Sequence, residues 1–226
     1  MSALRPICDI FRSYAVFDAE GRHVNGTDKQ SNHRYGDAYE QLFTYNRIEE
    51  DLSLSIKSYY PHSCRGDVKL MMEVGIADGS SLLAWREVFP HALCVGMDIH
   101  PSHKAHGERL EFHLGDQTSR EDCERAAGGR EFDVIIEDAT HRVQDSLLTL
   151  LYLYRYLKPN GVYIIEEFDN VGALRENIES LWPSARIIDT QGPFGGVEPL
   201  VVLQKPYYGP SVLRKEYTKF RSKHGT

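Results

Sequence analysis

Carboxylates gather where two apolar runs end. Phe132 to Glu137 (FDVIIE) leads into Asp138-Ala139-Thr140-His141, and Val162 to Glu166 leads into the pair Glu166-Glu167, with Glu166 28 residues after Asp138. Acids at the ends of neighbouring strands repel one another unless a cation neutralises them, and oxygen ligands suit a hard ion such as Mg2+. Helix capping accounts for Asp138 or Thr140 taken singly, but not for a paired acid on the later strand. His141 stands three residues beyond Asp138. A neutral imidazole, with its ordinary pKa of about 6.5, can take the proton of a metal-bound hydroxyl beside it.

A second constellation precedes the first. The run Lys69 to Gly75 ends in Glu73-Val74-Gly75-Ile76-Ala77-Asp78-Gly79-Ser80-Ser81, a glycine-containing turn into a helix. Such a turn lets a ligand approach the backbone. It is not GxGxxG, and Asp78 would repel a pyrophosphate, so a ligand with a cationic centre suits it better. Asp98, 23 residues after Gly75, is placed to accept from both hydroxyls of a ribose. Gly115-Asp116-Gln117 follows the next apolar run and could read an adenine edge. Together these residues describe a site for an adenosine-type ligand without a diphosphate.

Alternating elements must position them. Apolar runs at 69–75, 92–99, 110–114, 132–137, 162–166, 185–188 and 200–203 predict seven strands. Between them, helices are expected at about 80–89, 118–127, 143–157 and 171–182, with Lys158-Pro159-Asn160-Gly161 and Pro183 as stops. Continuous apolar strands alternating with helices imply a doubly wound, mostly parallel α/β sheet of the Rossmann-like kind. Residues 1 to about 35 read as irregular, and the spacing from Tyr35 to Tyr60 predicts one or two helices that stop at Pro61. One domain is expected over 1–226, with an N-terminal helical cap or lid (1–66), a core (67–205) and a basic C-terminal tail (206–226).

Composition narrows the class. The 226 residues are 41% hydrophobic and 26% charged, an ordinary globular balance. No stretch approaches the 18 or more apolar residues of a transmembrane helix, and the first residues lack the apolar core of a secretory signal. A net charge of −7 speaks against nucleic acid or an anionic membrane as a general partner. The basic residues of the tail read as a solvated segment. Cys8, Cys64, Cys94 and Cys123 form no CxxC pair, which fits a reducing, cytoplasmic setting and argues against zinc.

These motifs resemble those of the class I S-adenosylmethionine-dependent methyltransferases over residues 68 to 205. The acid cluster looks most like the metal-dependent sugar O-methyltransferases of macrolide biosynthesis, the mycinamicin and tylosin type. That resemblance implies Asp138, Glu166 and Glu167 as magnesium ligands and His141 as base. It also implies cofactor contacts from Glu73, Gly75, Asp78, Ser81, Asp98, Asp116, Gln117 and Asp138. The N-terminal Gly26-Thr27-Asp28-Lys29, His33 and Tyr35-Gly36-Asp37-Ala38-Tyr39 resemble the same family's entry motif, so Asp28 and Tyr35 are expected in a lid. Glu167 departs from the family's usual Glu-Asp pair, and Ala139-Thr140 from its Gly-Ser. The implied reaction is Mg2+-dependent methyl transfer from S-adenosylmethionine to a sugar hydroxyl, free or conjugated. The implied assembly is a homo-oligomer joined through the N-terminal helices. A catechol-type methyltransferase would carry lysine in place of His141 and Asp-Asn in place of Glu166-Glu167. An NAD-dependent oxidoreductase would need the missing GxGxxG, and a silent ligand-binding module would have no use for an unneutralised acid cluster.

Overall fold

The structure, a computed structural model, describes residues 4–44, 65–167, 185–191 and 197–205. The chain opens with α1 (Ile7–Ser13), a hairpin of β1 (Ala15–Phe17) and β2 (His23–Gly26), and α2 (Tyr35–Thr44). Sequence reading leaves 1–35 irregular; the structure adds α1 and the hairpin. Both are too short to carry a periodic signal. The remainder of the expected 35–60 helical region, the expected helix at 171–182 and the C-terminal tail lie outside the described residues.

The core alternates as its apolar runs require. β3 (Leu70–Val74) leads to α3 (Ser80–Val88), then β4 (Leu93–Asp98), β5 (Leu110–Leu114), α4 (Arg120–Ala127) and β6 (Phe132–Glu137). After α5 (Val143–Leu153) and a 3-10 turn come β7 (Leu157–Glu166), β8 (Arg186–Gln191) and β9 (Val197–Gln204). β7 begins five residues before the expected Val162, because Leu157 already pairs with Phe132 across an irregular register. Asn160 absorbs the bend with φ 65°, a conformation that asparagine tolerates better than most side chains.

The seven strands lie in the order β5-β4-β3-β6-β7-β9-β8. Pairing is parallel from β5 through β7, and β9 is antiparallel to both β7 and β8. Alternation along each strand divides the core into two layers. Met71, Cys94, Ile136, Ile164 and Val202 pack on one face with Phe11, Tyr39, Trp85 and Phe89 from α1, α2 and the α3 region. Met72, Val95, Ile135, Ile165 and Val201 pack on the other with Cys123, Ala126, Leu150 and Leu153 from α4 and α5. This is a doubly wound, Rossmann-like sheet covered on both faces. Among the described residues no helix is long and apolar enough to cross a membrane.

Candidate active site

The strand order reverses between β3 and β6, and in a sheet of this kind ligands bind at the carboxyl ends beside that point. A cleft of about 600 Å3 opens there. The turn after β3 and the turn after β6 are in contact at its base. Gly75 holds φ +85°, and a Cβ on it would stand 2.1 Å from the Asp138 carbonyl oxygen. Only glycine combines that dihedral with that approach. Asp138 N donates to Val74 O at 2.8 Å, closing the same corner.

Several of the expected cofactor residues line the cleft: Gly75, Asp78, Ser81, Asp98, Asp116, Gln117, Asp138 and Asp28. Asp98 Oδ2 accepts from Ile76 N at 2.9 Å and Ala77 N at 2.8 Å, so the acid at the end of β4 fastens the glycine turn. Asp78 is paired with Lys104 at 2.6 Å. Asp116 Oδ1 accepts from Thr118 N at 2.8 Å and shapes its own turn. Gln117 Nε2 donates to Thr140 Oγ1 at 2.9 Å, while its Oε1 is buried with no hydrogen-bond partner among the described residues. An orphaned acceptor on the wall of a cleft is a place where a ligand donor can be satisfied.

Glu73 and Tyr35, expected to contact cofactor, do not line the cleft. Glu73 shares the Met71 face of β3, where Ser81 Oγ (2.8 Å) and Trp85 Nε1 (3.0 Å) donate to it. Tyr35 is fully buried and stacks on His33 with ring centroids 5.2 Å apart.

The acids at the ends of β6 and β7 separate into two groups. Outward, Asp138, His141 and Glu167 bring one ligand atom each within 4.8 Å of one another. His141 Nε2 lies 3.2 Å from Asp138 Oδ1, and its Nδ1 lies 2.9 Å from Glu167 Oε2. His141 (φ 60°) and Glu167 (φ 53°) both hold the left-handed conformation. Such strain is retained where surrounding contacts over-determine it. Inward, Lys29 Nζ lies 2.6 Å from Glu166 Oε2, 2.7 Å from Asp138 Oδ2 and 3.2 Å from Glu73 Oε1, and the Tyr39 hydroxyl donates to Glu166. Glu166 is therefore apart from the outward group that the expected ligand trio would have it join. Strand alternation is the reason, since Glu166 shares the face of Ile164 and only Glu167, past the strand end, turns outward.

Charge follows from these contacts. Burial opposes the Lys29 ammonium, but Asp138, Glu166 and Glu73 outweigh it and raise its pKa well above the usual lysine value. Burial also lifts the carboxyls of Glu166 and Glu73. The Asp138 and Glu167 hydrogen bonds push His141 up to about 10. His33 lies 3.1 Å from Asp28 and 2.8 Å from Glu167. Burial lowers it, yet those two partners raise it to about 11. Glu167 is held well below the usual carboxylate range, because hydrogen bonds from His141 and His33 outweigh its burial. His141 thus departs from the ordinary imidazole expected of it, since both ring nitrogens face carboxylates.

Sequence reading missed Lys29, His33 and Tyr39 as site groups, although all three stand in the Gly26 to Tyr39 motif. The signal present was an aromatic, acidic and basic run before the first core strand. Its contacts reach 109 to 137 residues along the chain.

No protein-family model matches the chain. A demethylmacrocin O-methyltransferase of Streptomyces fradiae is 30% identical over 112 residues, covering 46% of this chain and 28% of that protein. An 8-demethyl-8-alpha-L-rhamnosyl tetracenomycin-C 2'-O-methyltransferase of Streptomyces olivaceus is 26% identical over 185 residues, covering 74% of this chain and 41% of that protein. The chain thus spans less than half the length of these curated relatives. The solved MycE methyltransferase of the mycinamycin biosynthetic pathway, in complex with Mg and SAH, shares the fold. Its TM-score is 0.61 at 16% identity, over 93% of this chain and 58% of that one. In sequence and in fold, the chain resembles the class I S-adenosylmethionine-dependent methyltransferases, and among them the O-methyltransferases of macrolide and related sugars.

Proposed function

We propose that this protein transfers a methyl group from S-adenosylmethionine to a sugar hydroxyl of a glycosylated small molecule, with a divalent ion, Mg2+, at its acid cluster. The carrying observation is the continuity of one cleft, which runs from the Gly75–Gly79 turn, Asp98 and Gln117 to Asp138, His141 and Glu167. The relatives named for O-methylation of demethylmacrocin and of a rhamnosyl tetracenomycin support the acceptor class.

The residues fit both groups. Gln117 Oε1 and Thr27 Oγ1 are buried acceptors in the cleft wall with no partner among the described residues. In this reading Asp98 takes the ribose hydroxyls and Gln117 the adenine edge. Asp138 Oδ1 and Glu167 supply hard oxygen donors. When bound, S-adenosylmethionine supplies an electrophilic methyl on sulfur, and the ion supplies charge that acidifies the acceptor hydroxyl. His141 then receives the hydroxyl proton. In the free site Asp138 and Glu167 hold its ring protonated. Were Asp138 and Glu167 to hold the ion, they would stabilise the imidazolium less, and His141 would stand as the neutral base that proton removal requires. Asp28, Asn32 and His33 line the N-terminal side of the cleft, the wall against which the acceptor would lie.

Calorimetry and a methyl-transfer assay on a glycosylated polyketide test this. S-adenosylhomocysteine should bind and NAD should not, and Asp98→Ala should weaken cofactor binding by roughly 1–3 kcal/mol through unpaired ribose hydroxyls. Transfer should cease with EDTA and return with Mg2+. A rate indifferent to chelation would reject the metal role, and cofactor binding unchanged in Asp98→Ala would reject the ribose assignment.

A further inference from the structure

Lys29 brings a cation from the N-terminal segment to the buried side of Asp138, and its contacts decide which acids remain available to the cleft. The cage around Nζ consists of Glu166 Oε2 (2.6 Å), Asp138 Oδ2 (2.7 Å) and Glu73 Oε1 (3.2 Å). The cage is held together by other groups as well. Trp85 Nε1 and Ser81 Oγ donate to Glu73, and the Tyr39 hydroxyl donates to Glu166. Lys29, Glu73 and Glu166 are each at most 1% exposed. Asp138 alone spans both groups, with Oδ2 on the ammonium and Oδ1 toward His141.

We propose that Lys29 is a positioning residue that divides the acids at the strand ends into two sets. Glu73 and Glu166 stay in an inner cage with a built-in cation, and Asp138 Oδ1 with Glu167 is left as the carboxylate pair for a divalent ion. The inference rests on the divalent-ion part of the function proposed above. Two physical effects favour the division. Mg2+ gives up its water reluctantly, so a dry cage suits a tethered ammonium better. A divalent ion entering beside that ammonium would also meet like charge at contact distance in a poorly screened interior. Glu166 is therefore withdrawn from the ion by Lys29, and Asp138 is held by one oxygen so that the other faces the cleft.

The test counts ions on the full chain, with Mn2+ as the probe and free Mn2+ read by electron paramagnetic resonance. The wild type should bind one ion. Glu166→Gln should bind one ion with an affinity within about threefold of wild type, whereas Asp138→Asn and Glu167→Gln should each lose about tenfold or more. Lys29→Met empties the cage of its cation while three acids remain, so it should bind a second ion or bind the first at least about tenfold more tightly. Lys29→Met/Glu166→Gln should return to a single ion. Loss of affinity in Glu166→Gln as large as in Glu167→Gln would overturn the proposal, as would unchanged stoichiometry and affinity in a folded Lys29→Met. Should Lys29→Met not fold, the Glu166→Gln comparison decides alone. A wild type that binds no Mn2+ would reject the metal-dependent function together with this role. A wild type that binds one ion through Glu166 would reject only the role of Lys29.

Discussion

His141 joins two properties that a single side chain seldom combines. Its backbone stands at φ 60°, where histidine is tolerated better than most non-glycine residues, and both of its ring nitrogens face carboxylates. Asparagine accepts the same dihedral but has no basic nitrogen, so His141→Asn separates the two contributions. Its melting temperature should stay within a few degrees of wild type and S-adenosylhomocysteine should still bind. Turnover should fall by about 10²–10⁴, the usual worth of a positioned base. Near wild-type turnover in the steady-state assay would mean that His141 only shapes the turn after β6. The candidacy of His141 was legible from its spacing to Asp138. The charge that the fold places on it was not, because Glu167 reaches it from a different strand.

At the scale of elements, the turn after β3 carries the site. Its backbone is fastened by Asp98 at the end of β4 and pressed against the chain after Asp138 at the end of β6. Gly75→Ala would combine a left-handed dihedral with a contact that no Cβ can make. Urea unfolding should report a loss of about 3 kcal/mol or more, and cofactor binding should be lost in parallel. Wild-type stability in this variant would show that the two turns are not packed as described. The core strands and α3, α4 and α5 follow directly from apolar runs and stop signals. α1 and the β1–β2 hairpin do not. They are held by contacts with the core, such as Phe11 against Trp85 at 4.9 Å, and by hydrogen bonds such as that from the Tyr14 hydroxyl, between α1 and β1, to Glu87 Oε2 at 3.3 Å. Local periodicity records neither.

The whole molecule should carry a pH signature of Glu137. This carboxyl is 1% exposed beneath α5, and burial raises it to about 7 from a usual value of about 4.5. A carboxyl raised on folding contributes stability that is complete below about pH 4.5 and disappears as pH rises through about 7, where the buried group must ionise. The gap corresponds to roughly 3 kcal/mol at most. Without divalent ion, the wild type should therefore lose more stability between pH 5 and pH 8 than Glu137→Gln does. Parallel melting curves for the two proteins would exclude this origin.

The sequence by itself determined the strands of a mostly parallel sheet and the residues at their ends, because parallel strands buried on both faces must be continuous apolar runs and their termini follow at once; the strand order, and with it the switch point, came only with the fold. The sequence also put Asp98 at the end of one such run, and Asp138, His141 and Glu167 within four residues of the ends of two others. Only the tertiary structure decided how the acids are shared. Neighbouring residues on a strand point to opposite faces, and Glu166 and Glu167 therefore part company at the end of β7. The cation that meets Glu166 arrives from Lys29, 137 residues away. Sequence spacing treated three acids as needing one external cation. The fold meets part of that need with an ammonium of its own, since neutralising buried charge depends on which groups come within about 3 Å, and proximity of that kind is a property of the folded chain alone.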